Sequence, residues 1–227
     1  RRTEGRLNFL HTPDLTISHL FKNPAITERC AQLLGPDLVM WRSHCFHIPA
    51  FSTGNAWHQT RTWMTNMKES ILQPPDIHEL FNLTCWIALQ DTPKEKACLK
   101  ILPGEYKELY PLKSRKLSDS KGGGNDRYTL DVDYQIDEDS VDLLEVKAGQ
   151  CIVFVDRVLH ASADNKTDED RWAAVGRIIR PDTRAYTKKM LKEGYWSEVN
   201  PNVNDDLDDY RVVLLRGEDR YEFNKKN

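Results

Sequence analysis

The sequence predicts an all-β sandwich or barrel with helical additions. Three observations predict it: many short runs rich in β-branched and aromatic residues, long polar connections between them, and helical periodicity in few places. With 227 residues the whole chain, 1–227, reads as a single domain, and a hydrophobic content of 39% supplies one sizeable core.

Residues 1–20 are polar and mixed, with Pro13-Asp14 as a turn, and their abrupt opening leads us to expect further chain ahead of Arg1. Asn23-Pro24 opens a helix, because Asn caps and proline fits the first helical position. Ile26, Cys30, Leu33 and Leu34 recur at helical spacing, and Gly35 ends the helix. Leu38–Ile48 alternates as a strand, with Leu38, Met40, Arg42, His44, Phe46 and Ile48 on one face. That face is either an inner wall of polar and aromatic character or the wet side of an edge strand. Residues 64–80 show no clear period, contain Pro74-Pro75 and read as a loop with a helical turn. Leu83–Leu89 is a near-continuous apolar run, hence a buried strand, and Cys98–Leu102 is another, closed by Pro103-Gly104. Residues 105–127 are charged and end in Gly122-Gly123-Gly124, a long loop of the kind that often serves as a lid. No Gly-Lys-Ser/Thr follows the glycines, which rules out a phosphate loop. Strands are expected at Tyr128–Tyr134, Leu143–Val146, Ile152–Val155 and Trp172–Ile179. A helix follows over Thr183–Glu193, then an acidic loop over 200–209 and a strand at Val212–Leu215.

Two histidines stand out against this scaffold. His58 lies in Asn55-Ala56-Trp57-His58-Gln59-Thr60, and His160 in Val155-Asp156-Arg157-Val158-Leu159-His160-Ala161-Ser162. Neutral imidazoles at strand ends can share a divalent metal such as iron, zinc or copper. Their separation along the chain says nothing about contact, and lone histidines more often pack or face water than ligate. A net charge of −3 argues against a general nucleic-acid binder. No apolar run approaches the length of a membrane span. Five cysteines, odd in number and without CxxC spacing, read as reduced thiols in a cytoplasmic protein.

Several pieces fall in the order and approximate spacing of one pattern: Leu34-Gly35-Pro36-Asp37, Trp41-Arg42-Ser43, Trp57-His58-Gln59, Trp86-Ile87-Ala88-Leu89, Leu102-Pro103-Gly104, Ala148-Gly149-Gln150 and the block from His160 to Arg180. From about residue 20 onward the chain resembles the phytanoyl-CoA dioxygenase superfamily. These are iron(II)- and 2-oxoglutarate-dependent oxygenases on a double-stranded β-helix (jelly-roll, cupin-like) fold with an all-β core and flanking helices. The tail from Val212 to Asn224, with Arg216-Gly217-Glu218-Asp219-Arg220-Tyr221, is similar to one branch, the non-haem iron halogenases that chlorinate amino acids tethered to carrier proteins. The resemblance implies that His58 and His160 are iron ligands. It implies that Arg171 clamps the far carboxylate of 2-oxoglutarate, a task that suits a planar guanidinium fork. Without the resemblance, Arg171 would read as a surface residue after Asp168-Glu169-Asp170. Asn55 and Trp86 match positions lining the cosubstrate pocket. Arg177 matches an arginine that supports a halide through water, and His44 and Phe46 match a polar and an aromatic neighbour of the site.

One departure decides what chemistry is implied. Hydroxylases of this kind complete two histidines with a carboxylate, and this chain has Thr60 at that position. A hydroxyl is neutral and a poor ligand. The halogenases carry Ala or Gly there and chloride takes the place, but Thr60 is bulkier and branched. His44 is a second departure, an imidazole that could donate to an anion, act as a spare ligand, or simply pack. Three readings stay open. One is a halogenase-like enzyme that uses iron(II), 2-oxoglutarate, oxygen and chloride on an unactivated aliphatic C–H of an amino-acid or acyl substrate in secondary-metabolite biosynthesis. Another is a hydroxylase, desaturase or cyclase with the same cofactors. The last is a metal-free jelly-roll binding protein. The substrate is expected to be a small molecule, free or carried by a carrier protein, with neither nucleic acid nor membrane as partner. Lys94, Lys96, Lys100, Lys107, Lys113, Arg115, Lys116 and Lys121 form a basic band that either docks an acidic carrier or is a solvated loop face.

Overall fold

The long alternating strand predicted at Leu38–Ile48 is the spine of the computed structural model, which describes residues 6–8, 15–65, 69–116, 128–196, 204–205 and 207–226. The first half contains β1 (Arg6–Asn8), α1 (Leu15–Phe21), α2 (Pro24–Leu34), β2 (Leu38–Ile48), α3 (Thr60–Thr65), β3 (Leu72–Gln73), β4 (Asn82–Ala88), β5 (Leu99–Ile101) and β6 (Leu112–Lys116). The second half contains β7 (Tyr128–Val132), a 3-10 turn at Glu138–Ser140, β8 (Asp142–Leu144), β9 (Cys151–Val155), β10 (His160–Ser162), β11 (Arg171–Ile179), β12 (Arg184–Ala185), α4 (Lys188–Glu193), β13 (Tyr195–Trp196), β14 (Asn204–Asp205) and β15 (Val213–Arg216).

Two antiparallel sheets build a jelly roll. The main sheet runs β1-β2-β11-β4-β9, with β15 also on β2, and the smaller runs β10-β5-β8. On one side of β2 lie β1 and β15, and on the other β11. Leu38 to Cys45 are all buried. That corrects the edge-strand alternative: β2 is central and covered on both faces. The outer face of the main sheet (Met40, Leu83, Cys85, Ile87, Ala174, Ile178) lies under Phe21, Ile26, Cys30 and Leu34 of α1 and α2. The inner face (Trp86, Ala88, Phe154, Ala173, Val175) meets Leu99 of the smaller sheet. Each Val, Leu, Ile, Phe or Met among them, withdrawn from water, contributes about 1.5–3 kcal/mol. Gly176 of β11 makes the outer packing possible, since a Cβ there would come within 2.7 Å of the Phe21 ring.

A bulge re-aims β2. Arg177 pairs with Arg42 but Ile178 pairs with Met40, so Trp41 is an extra residue. An inserted residue shifts the side-chain alternation. Val39 and Trp41 accordingly join Ile71, Phe81, Tyr186, Tyr195 and Tyr210 in a second core, while Arg42 stays on the wall with His44. The buried Trp41 indole N–H donates to Asn82 Oδ1 at 3.3 Å.

Helix α2 forms as expected: the Asn23 side chain accepts from Ala25 N at 2.9 Å, and Gly35 turns the chain at φ 96°. Elsewhere the elements differ from the sequence expectation. Helix α1 lies in the stretch read as polar and mixed, because Ser18 and Phe21 are buried against the sheet. Residues 64–80 hold the end of α3 and strand β3. The helix expected over Thr183–Glu193 is confined to Lys188–Glu193, since Arg184 and Ala185 pair with Gln73 and Leu72 and Thr187 caps through Met190 N. Part of the 105–127 loop is strand β6, paired with β7. Asn204–Asp205 of the acidic loop pair with Tyr195–Trp196. Pro13-Asp14 and Gly122-Gly123-Gly124 lie outside the described residues. All five cysteines are free thiols, and no described helix is long and apolar enough to cross a membrane. In the basic band, Lys96 pairs with Glu169, Lys100 with Glu138 and Lys113 with Asp133.

Candidate active site

The segments bearing His58 and His160 run antiparallel and exchange both backbone bonds, His58 N to His160 O at 3.0 Å and His160 N to His58 O at 3.1 Å. Their rings stand 4.2 Å apart, centroid to centroid. Each Nδ1 lies 2.8 Å from a backbone carbonyl, Ala56 O for His58 and Val158 O for His160. A carbonyl can only accept, so each Nδ1 carries the proton, and in a neutral ring Nε2 then holds the lone pair. A carbonyl behind a ligating imidazole fixes its tautomer and orientation in just this way. Burial, then the neighbouring His58, hold the His160 pKa well below the ordinary histidine value. Among the described residues no third His, Cys, Asp or Glu joins this pair.

Arg171 opens β11 on the inner face and is 0% exposed, which corrects the surface reading. Its Nε donates to Ala97 O and its Nη2 to Ser162 Oγ, both at 3.2 Å. Its guanidinium lies 5.5 Å from the Trp86 ring centroid. Nη1 is buried with no hydrogen-bond partner. No described carboxylate pairs with it, and burial pushes its pKa down to about 10. A desolvated cation with an unmet N–H is unstable by itself and calls for an anion. Asn55 stands at the same place, its carbonyl accepting from Ser162 N at 3.1 Å.

Thr60 begins α3, two residues beyond His58, with Oγ1 buried and unpartnered. Arg177 faces Thr84 of β4, donating from Nη1 to its Oγ1 at 2.8 Å, and its charge adds to the depression of the His160 pKa. His44 and Phe46 share the β2 wall with ring centroids 5.4 Å apart. His44 Nε2 accepts from Arg42 Nε at 3.1 Å, which commits that nitrogen to packing against the arginine.

The structure adds residues that sequence reasoning did not single out. Ser162 has a signal in hindsight: two residues after His160 on one strand, it shares that histidine's face. Phe154 packs on the His160 ring at 4.8 Å. Gln59, part of Trp57-His58-Gln59, and the buried Arg61–Asp156 ion pair, Nε to Oδ2 at 2.8 Å, are given no role by the sequence.

Comparison with known proteins gives the family and the fold. Residues 2–173 match the family model described as phytanoyl-CoA dioxygenase (PhyH). Among solved structures, the chain is similar to the non-heme monooxygenase ThoJ in its apo form, at 23% identity and TM-score 0.71, over 97% of this chain and 69% of that one. It is similar to CytC3 with Fe(II) and alpha-ketoglutarate, at 20% identity and TM-score 0.71, over 100% and 76%. It is also similar to the non-heme alpha ketoglutarate dependent epimerase SnoN from nogalamycin biosynthesis, at 16% identity and TM-score 0.60, over 93% and 76%. At such identities the likeness is one of fold. No curated protein matches the sequence. The chain belongs to the phytanoyl-CoA dioxygenase family, and with its jelly roll it is an oxidoreductase dependent on iron(II), 2-oxoglutarate and oxygen.

Proposed function

We propose that this enzyme functionalises an unactivated aliphatic C–H of an amino-acid or acyl substrate, free or carried by a carrier protein, and that it is halogenase-like. His58 and His160 would hold the iron through Nε2. Arg171 would take the far carboxylate of 2-oxoglutarate, with Ser162, Trp86 and Asn55 around it. When bound, iron(II) with 2-oxoglutarate and oxygen supplies an oxidant strong enough to break such a bond. The residues supply placement. The backbone carbonyls of Ala56 and Val158 keep both Nε2 atoms unprotonated. The Trp86 face and the Ala97 carbonyl keep the Arg171 fork in one plane.

The observation that carries the finer reading is Thr60. By the resemblance it takes the position that a carboxylate fills in the hydroxylases, and its hydroxyl is uncharged, buried and unpartnered. A cation held by two neutral imidazoles keeps a charge that a carboxylate would have offset, which favours an anion from solution. Arg177, buried on the adjoining wall, adds positive potential of the same use. With chloride as that anion, product identity depends on which group the wall holds nearer the substrate carbon.

The test is anaerobic protein loaded with iron(II), 2-oxoglutarate and aminoacyl or acyl substrates, then given oxygen with and without chloride. Succinate together with a chlorinated product supports the proposal. An oxygenated or desaturated product indifferent to halide moves the protein to the hydroxylase, desaturase or cyclase reading. Thr60→Asp is expected to suppress chlorination by restoring an acidic ligand.

A further inference from the structure

With only two protein side chains proposed for the metal, their relative placement rests on the two segments that carry them. We propose that Gln59 is a positioning residue that locks those segments together; the inference rests on the reading of His58 and His160 as ligands. Gln59 is fully buried. Its Nε2 donates to Arg157 O at 2.6 Å and to Glu108 O at 2.7 Å, and its Oε1 accepts from Tyr110 N at 2.9 Å. One carboxamide thus uses both N–H groups and its carbonyl, each on backbone.

The placement is specific to the metal pair. Gln59 follows His58 directly, and Arg157 lies in the turn that delivers His160. The bond to Arg157 O extends the backbone exchange of His58 with His160. Beyond it, Arg61 N donates to Asp156 O at 2.8 Å. Three successive links, at His58, Gln59 and Arg61, therefore stitch one ligand segment to the other. The remaining bonds of Gln59 bring the loop Glu105–Tyr110 over the same turn, where Arg157 Nε also donates to Tyr106 O at 2.9 Å. The Arg61–Asp156 pair is a poorer probe, because breaking a buried ion pair leaves a charge that threatens the fold itself. Gln59 is neutral, so its contribution to the metal site can be read apart from stability.

The experiment titrates the apoprotein anaerobically with cobalt(II) and follows its visible absorption, beside a thermal melt without metal. Gln59→Met keeps the side-chain length and removes every hydrogen bond. It is expected to bind cobalt(II) at least about 10-fold more weakly than wild type, the effect typical of groups that orient ligands, with a changed absorption envelope. If Gln59→Met does not fold, Gln59→Asn is measured in the same way and judged by the same criterion. Wild-type affinity and spectrum with a lowered melting temperature would make Gln59 a structural residue only and overturn the proposal. His58→Ala and His160→Ala serve as controls. If they bind cobalt(II) like wild type, the assignment of the ligands fails, and this inference with it.

Discussion

The His160 ring is buried between the His58 ring, 4.2 Å away, and the Phe154 ring, 4.8 Å away. Burial, reinforced by His58, keeps its native pKa far below the ordinary value, whereas the unfolded chain takes up a proton near pH 6.5. Below that pH the unfolded state binds more protons than the native one. Stability of the apoprotein is therefore fully present above about pH 6.5 and declines as pH falls, by up to about 1.4 kcal/mol per pH unit for this one group. Urea midpoints measured at pH 7.5, 6.0 and 5.0 check this, and His160→Gln should flatten the series.

Arg171 presents the opposite electrostatic situation, a cation buried without a described acidic partner. In the absence of cosubstrate, Arg171→Met should be neutral or stabilising by about 1–4 kcal/mol, since it exchanges a poorly compensated charge for packing on Trp86 and Ala97. 2-Oxoglutarate at 100 times its Kd should stabilise metal-loaded wild type by about 2.7 kcal/mol and the variant hardly at all. Thermal melts with and without 2-oxoglutarate measure both effects. A variant that is less stable alone yet fully protected by 2-oxoglutarate would remove Arg171 from the site.

How much of this was legible in sequence follows from what each feature depends on. The β2 strand, the buried run of β4 and the Asn23/Gly35 caps of α2 are local, and each appears in the structure near its expected place. The single face expected for Leu38, Met40, Arg42, His44, Phe46 and Ile48 is split, however: Leu38 and Met40 pack under the helices, while Phe46 lies on the inner wall. His58 and His160 stand out as candidate metal ligands from the residues alone, but that they meet, and that Arg171 belongs with them, comes only through the resemblance, because their approach is set by pairings between distant strands. The Trp41 bulge was invisible, since an extra residue leaves the pattern of β-formers unchanged and is defined only by its partner Arg177–Ile178. The same holds for β3 and β12, two-residue strands whose pairing takes the first turns of the helix expected at Thr183. Gln59 bonds only backbone atoms, so no partner residue type in the sequence could have announced it.

Gly54 is where the loop before His58 crosses β10. A Cβ there would fall 2.2 Å from Ser162 O and 2.3 Å from Ala163 O, both backbone atoms that cannot swing aside. Gly54→Ala should cost about 1–3 kcal/mol by overpacking. Because Ser162 also accepts from Arg171 Nη2, the shift should raise the KM for 2-oxoglutarate more than it changes the affinity for metal. Chemical denaturation and steady-state kinetics, compared on one preparation, test the pair of effects; equal losses in both would mean the strain spreads through the whole bridge.

Thr60 separates two explanations of halide use. Its Oγ1 is buried and makes no hydrogen bond, so replacing it with the near-isosteric Val removes an unsatisfied polar atom. Thr60→Val should therefore leave stability unchanged or raise it by about 1 kcal/mol. If the residue acts only by not being an acid, Thr60→Val keeps chloride-dependent product, while Thr60→Asp loses it and binds iron(II) more tightly. If instead the hydroxyl itself donates to the anion, Thr60→Val weakens chloride dependence although the metal site is intact. Product analysis across a chloride series, with iron(II) affinity measured beside it, distinguishes the two. The first outcome is expected, because a donor already engaged with an anion would not be needed where two imidazoles and Arg177 set the potential.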